Sequence, residues 1–271
     1  GIEASYVPLT DEEVIRSRRA YLANVSYFDS KVGEIVKTLE DIGEIKNTLI
    51  IITADHGDML GERGLWYKMN FFEHSARVPL IFSGPGVVKG TNRNACSLVD
   101  ILPTLLEVAG GGKGMLGEPI DGRSLLPLAR GEKGQKNEAI GEYCAEMTPY
   151  PVFMIRRDNF KYIHCDPDPP QLYNLDEDPL EKNNLAFDLS YSSLVENFSK
   201  EVSERWNSEK LRLDIINTQK SRRALHSAME AGAGEHWDYN PPSDASQKYV
   251  RNHMDWTVAA ERYRFPPYKS K

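Results

Sequence analysis

Nothing in the 271 residues approaches the roughly 20 consecutive apolar residues that a bilayer crossing needs, and no charged-apolar-small leader opens the chain. A membrane-bound protein is therefore not expected. Cysteine is scarce. Cys96, Cys144 and Cys165 lie far apart with no C-x-x-C pairing, which excludes a disulfide framework and predicts reduced thiols in a cytoplasmic setting. An excess of basic charge is missing too. The formal net charge is −7 and the Lys and Arg residues are scattered, so neither nucleic acid nor an anionic membrane is an expected partner. There are no internal repeats and no HExxH, and "GGGKG" lacks the spacing and the Ser or Thr of a P-loop.

What is present reads as an α/β chain. Thr10 and Glu13 have the spacing of a capping box, opening a helix in which Val14, Tyr21, Val25, Phe28, Val32, Ile35, Val36 and Leu39 recur at three- and four-residue steps. That spacing predicts one face packed on a core, and Gly43 ends the helix. Residues 48 to 53 are short and continuously apolar, as in a central strand of a parallel or mixed sheet. "RVPLIFSGPG" reads as a second strand and residues 97 to 109 as a helix, with Pro103 in an early turn and Asp100 at the helix start. From about 138, "EAIGEYC", "VFMIRRDNFKYIHC" and "QLYNL" read as a small antiparallel sheet, closed by helical sequence at about 188 to 214. The expected organisation is thus 1–137 as part of an α/β domain with a mixed sheet flanked by helices, 138–217 as a small antiparallel sheet plus helix, and 218–271 as an extended tail.

The chemistry concentrates where the first strand stops, in "NTLIIITADHGDMLGERGLWYK". In open α/β sheets ligands sit outside the carboxyl ends of strands, and Asp55, His56 and Asp58 fall at such an end. Gly57 is expected to turn the chain there with φ > 0. Clustered carboxylates call for a counter-charge, and a divalent cation supplies it. Oxygen donors suit Ca²⁺ or Mg²⁺, while an imidazole pulls towards Mn²⁺ or Zn²⁺. The same four letters also suit a surface turn. Lys68, in "GLWYKMNFF", is hemmed by apolar residues, where an ammonium seeks an anion unless its stem is buried and its head exposed. Glu73 and Arg77, four apart, suit a local ion pair, and His74 suits a structural role.

The order of these segments resembles the C-terminal half of a type I sulfatase, in the alkaline-phosphatase-like superfamily. The carriers are "TLIIITADHGDMLGERGLWYKMNFFEHSARVPLIFSGPG", "SLVDILPTLLEVAG" and "QLYNLDEDPLEKNNLA". The tail "SRRALHSAMEAGAGEHWDYNPPSDASQKYVRNHMD" and "GLWYKMNFFEHSARVPL" resemble the choline sulfatases in particular.

That resemblance implies hydrolysis of a sulfate ester by a formylglycine nucleophile with a divalent cation, Ca²⁺ foremost and Mn²⁺ or Mg²⁺ as alternatives. Asp55 and His56 match metal-ligand positions of the family, and Lys68 matches the lysine that bridges sulfate and leaving group. The family's C/S-x-P-x-R nucleophile motif is not in the sequence; "CDPDP" at 165 to 169 fails at its last letter. The nucleophile is therefore expected from an N-terminal half of the same protein, and this chain alone is expected to be inactive. A quaternary ammonium is held by aromatic faces and a carboxylate. Glu146 is the preferred acid, with Glu142 as its alternative, and Trp256 is the aromatic candidate of the tail. Trp66, Tyr67, Phe71 and Phe72 are further aromatic candidates, though core packing explains most such rings better. In the choline sulfatases the tail reaches a neighbouring subunit, so a homo-oligomer with exchanged tails is expected. A phosphonate or phosphate monoesterase of the same superfamily and a non-catalytic oligomerisation segment are the competing readings.

Overall fold

The computed structural model describes residues 9–115, 117–145 and 148–231. It divides into two compact units, Ile15–Arg212 and a second that holds the described residues 9–14 and 213–231.

Helix α1 (Asp11–Asp41) starts at the expected capping box. The Thr10 N–H donates to Glu13 Oε2 at 2.9 Å and the Glu13 N–H donates back to Thr10 Oγ1 at 3.3 Å. The expectation of a core-facing stripe is not met among the described residues. No residue of α1 is buried, and Leu22, Val25, Tyr27, Phe28 and Ile35 are all exposed. The remaining members of the stripe, Val14, Val32, Val36 and Leu39, are half-buried.

Strand β1 (Ile50–Thr53) forms where expected, but its neighbour among the described residues is β2 (Leu80–Ser83), paired antiparallel with Ile51 opposite Phe82. All four β1 residues are half-buried rather than fully covered. Between the strands lie a long irregular segment and the short helix α2 (Glu73–Ala76). Helix α3 (Ile101–Val108) is preceded by a 3₁₀ turn that Ser97 and Asp100 close reciprocally. Asp100 is buried at the helix start as expected, and its Oδ1 also accepts the Arg123 N–H at 2.9 Å. A single turn, α4 (Leu126–Ala129), follows.

The small sheet is β3 (Glu138–Tyr143), β4 (Val152–Arg157), β5 (Phe160–Cys165) and β6 (Gln171–Asn174), antiparallel in chain order. Its two faces follow from strand alternation. Phe153, Ile155, Tyr162 and Leu172 point to one side and pack with Phe198 and Val202 of α5 (Ser192–Arg205). Met154, Ile163 and Tyr173 point to the other and pack with Phe71 and Phe72, three and four residues after Lys68. The segment that follows Lys68 therefore rests on the small sheet.

The helical sequence expected at about 188 to 214 is two helices, α5 and α6 (Ser208–Glu230). The break has a local cause. Trp206 turns extended so that its ring stacks on Phe153, with centroids 4.7 Å apart, and Asn207 Oδ1 then accepts the Lys210 N–H to cap the next helix. Helix α6 continues past 218, the expected start of the tail. Among the described residues no helix is long and apolar enough to cross a membrane.

Candidate functional site

The Asp55–His56–Gly57–Asp58 turn follows β1 and is built by close backbone packing. Gly57 is needed for space rather than for a positive φ. A Cβ there would lie 2.0 Å from the His74 carbonyl oxygen, and the Gly57 N–H donates to the Ser75 carbonyl at 2.8 Å. Helix α2 is thus pressed against the turn. The Asp55 carboxylate is exposed, accepts the His56 N–H at 3.0 Å, and lies 3.4 Å from His56 Nε2. His56 Nδ1 is 2.7 Å from the Gly57 carbonyl. A carbonyl only accepts, so Nδ1 donates its proton there, and Nε2 is the ring nitrogen that faces Asp55. One carboxylate oxygen and one ring nitrogen thus converge.

Asp58 does different work. Its Oδ1 accepts the backbone N–H of Leu60 at 2.9 Å and of Tyr67 at 3.1 Å. It pins the loop that carries Lys68, and this loop is strained. Leu60, Arg63, Tyr67 and Met69 all have φ between 47° and 73°, a left-handed conformation that non-glycine residues adopt rarely. Several contacts hold it. Met59 is fully buried and its N–H donates to the Tyr67 carbonyl, Arg18 of α1 donates to the Leu60 carbonyl and to Glu62, and the Arg63 guanidinium lies over the Phe72 ring at 4.1 Å. Lys68 itself is exposed, not hemmed in as its neighbours in sequence suggest. Its flanking rings go elsewhere. Phe71 and Phe72 join the sheet, and Phe72 meets Tyr173 edge-on at 6.3 Å. Phe71 fits against Gly141, where a Cβ would approach its ring to 2.6 Å.

Beneath this loop lies a buried ionic group that sequence reasoning does not find. Lys161 and Glu181, each about 1% exposed, are paired at 2.9 Å, and Lys161 Nζ also meets Glu73 Oε1 at 2.5 Å. Glu73 keeps its expected partner Arg77 only loosely, at 3.9 Å. Removing one partner of such a group leaves an uncompensated buried charge, at a cost of roughly 3–5 kcal/mol. A signal exists for one of the two. In "FKYIHC" strand alternation puts Lys161 on the same face as Ile163 and Cys165, an inward face. Glu181, in a turn, carries none.

The donor set fits half of a divalent-cation site. Asp55 offers a carboxylate and His56 an imidazole nitrogen, and among the described residues no group of three or more His, Cys, Asp or Glu gathers around an ion. Thr53 Oγ1, two residues earlier, is buried without a hydrogen-bond partner among the described residues. Glu146 and Trp256 lie outside the described residues. Glu142 accepts the Trp206 indole N–H, so this alternative acid has a structural partner. The thiols are quiet: burial, then Asp168, pushes Cys165 up to about 11, and burial raises Cys96 and Cys144.

Known proteins match along the chain. The family model for the C-terminal region of N-sulphoglucosamine sulphohydrolase matches residues 61–208, that for sulfatases matches 2–111, and that for the C-terminal region of choline sulfatase matches 213–265. A choline-sulfatase of Rhizobium meliloti is 41% identical over 262 residues, 95% of this chain and 51% of its own length. An arylsulfatase K of Danio rerio is 36% identical over 269 residues, 94% of this chain and 48% of its own. The crystal structure of a phosphonate monoester hydrolase of Agrobacterium radiobacter superposes with a TM-score of 0.62 at 28% identity, covering 72% of this chain and 42% of that one. The chain spans about half the length of the curated relatives it matches. By these matches, and by a fold that combines helices with sheets, one of them a small four-stranded antiparallel sheet, the chain belongs to the sulfatase family of the alkaline-phosphatase-like superfamily.

Proposed function

We propose that the protein containing this chain hydrolyses a sulfate ester, choline sulfate foremost, to the free alcohol and sulfate, and that this chain supplies the cation-binding and leaving-group side of the site. The observation that carries the reading is the convergence of Asp55 Oδ2 and His56 Nε2 at 3.4 Å beyond β1. A divalent cation held there, Ca²⁺ foremost, would polarise the sulfate oxygens. Asp55 contributes negative charge and His56 a neutral nitrogen fixed in orientation by the Gly57 carbonyl. The loop pinned by Asp58 presents the Lys68 ammonium, whose charge would neutralise the departing oxygen as the ester bond breaks. The formylglycine nucleophile belongs to an N-terminal half of the same protein, since the C/S-x-P-x-R motif is not in this sequence.

Glu146 and Trp256 recognise the trimethylammonium in this proposal, through a carboxylate and an aromatic face. The 41% identity to a choline-sulfatase supports this substrate over other sulfates. The domain boundaries at 137 and 217, a cytoplasmic location and a homo-oligomer that exchanges its tails are part of the same reading. The second reading, hydrolysis of a phosphonate or phosphate monoester, is favoured by the structural likeness to a phosphonate monoester hydrolase.

The test is a comparison of kcat/KM for choline sulfate, an aryl sulfate and a phosphate monoester with the natural protein that carries this chain. Preference for choline sulfate is expected, and preference for the phosphate ester would move the assignment to the second reading.

A further inference from the structure

The proposed chemistry makes no use of the buried Lys161, yet every proton of its ammonium has an acceptor. An ammonium has three protons, and Lys161 Nζ meets three acceptors: the Phe71 carbonyl at 2.9 Å, Glu73 Oε1 at 2.5 Å and Glu181 Oε1 at 2.9 Å. Glu181 uses its other oxygen to accept the Glu73 backbone N–H at 2.6 Å, and it sits at φ 56°. Between them the two residues hold both ends of the segment 71–73: Lys161, on the small sheet, binds the Phe71 carbonyl and the Glu73 carboxylate, and Glu181, after the sheet, binds the Glu73 N–H.

From that grip the contacts continue to the site in two directions. Glu73 opens α2, whose Ser75 carbonyl receives the Gly57 N–H and whose His74 carbonyl fills the space beside Gly57. Asp55 and His56 are the two residues before Gly57. In the other direction Phe71 is three residues after Lys68, at the end of a loop with four left-handed residues. An apolar contact in the place of Lys161 would tolerate sliding of this segment, whereas three directed bonds allow one register.

We infer that Lys161 and Glu181 are positioning residues: a strut on the small sheet that sets both the Asp55–His56 turn and the Lys68 loop. Neither touches the reacting atoms. The inference rests on the proposed function for its catalytic consequence, but its structural claim can be tested separately.

The experiment uses the natural protein carrying this chain, with Glu181→Gln as the mild variant and Lys161→Met/Glu181→Gln as the paired one. The paired variant removes both charges of the Lys161–Glu181 pair, leaves the Glu73 carboxylate to Arg77 at 3.9 Å, and lets the amide oxygen introduced at position 181 still accept the Glu73 N–H. Amide hydrogen exchange of peptides spanning 55–76, calorimetric titration with Ca²⁺ alone, and kcat and KM on choline sulfate are measured beside thermal melting. Exchange in 55–76 is expected to accelerate about 10-fold or more in the paired variant while β4 and β5 keep their protection. Ca²⁺ affinity and kcat are expected to fall about 10–100-fold with KM little changed, the range typical of groups that orient metal ligands. Glu181→Gln should show the same pattern more weakly. A folded paired or single variant whose 55–76 exchange and Ca²⁺ affinity equal the wild type would overturn the strut. Wild-type protein that binds no Ca²⁺ and cleaves no sulfate ester would instead defeat the proposed function, leaving hydrogen exchange to judge the strut.

Discussion

The β1–β2 ribbon with α1 and the four-stranded sheet with α5 have similar raw materials and opposite fates. Both have antiparallel pairing and an amphipathic helix. In the second, Phe153, Ile155 and Leu172 are fully buried beneath Phe198 and Val202. In the first, the helix stripe has no buried residue, with Val25, Phe28 and Ile35 exposed and Val32, Val36 and Leu39 half-buried, and β1 is half-covered. Similar periodicity thus led to a closed core in one region and an open face in the other. What separates them is whether the complement of the apolar face lies among the described residues. The candidate site is attached to both: its turn grows from the ribbon, and its loop leans on the sheet through Phe71, Phe72 and Lys161.

This contrast can be attacked at several points. The largest effect is expected in the closed region. Phe153→Ala should lower stability by about 3–5 kcal/mol, read by denaturant unfolding, because it leaves a cavity in place of a buried ring and removes that ring's stacking on Trp206. Lys68→Ala is exposed and belongs to neither core. In the natural protein it should reduce kcat/KM on a sulfate ester about 10²–10³-fold while leaving the melting temperature in place; a large drop in melting would show that the residue is structural. Gly57→Ala should cost about 1–3 kcal/mol and weaken Ca²⁺ binding, since the added Cβ must displace the His74 carbonyl.

A smaller effect concerns pH. Arg157, then Arg205, hydrogen-bonds Glu201 and holds its carboxyl down at about 2, tying α5 to the sheet. A carboxyl depressed on folding stabilises above its ordinary pKa of 4.5 and loses that contribution as pH falls from there towards 2. Melting temperature should decline over that window, and Glu201→Gln should flatten the decline. Least of all, Val25→Ala on the exposed stripe should change the stability of this chain by no more than about 0.5 kcal/mol. A cost comparable to that of Phe153→Ala would erase the contrast between the two regions.

The sequence makes most of the elements legible because their signals are local. The strand-like composition of "VFMIRRDNFKYIHC" marks it as part of the small sheet, though its division into β4 and β5 at Asp158–Asn159 emerges only in the structure, and Thr10 with Glu13 gives the start of α1. The candidate pair Asp55–His56 is likewise readable from its place after an apolar strand. What fails is whatever depends on a distant partner. The stripe of α1 announces a contact but cannot say where the complement lies. The break at Trp206 depends on Phe153, far back along the chain. Asp58 looks like a member of the acidic cluster, but its bonds to Leu60 and Tyr67 exist only after the loop has taken left-handed turns that no local rule assigns to Leu, Arg, Tyr and Met. Lys161 is visible as a charge on an inward face, yet nothing near it names Glu73 or Glu181.

One contact has a longer reach. The Phe71 ring occupies the spot where residue 141 would otherwise begin a side chain, so the sheet is notched and the ring is its key. Even a methyl group at 141 would push the ring aside. Substitutions in a strand remote from any chemistry should therefore appear in related chains only together with a smaller residue at 71, and the two halves of this joint are bound to drift as one.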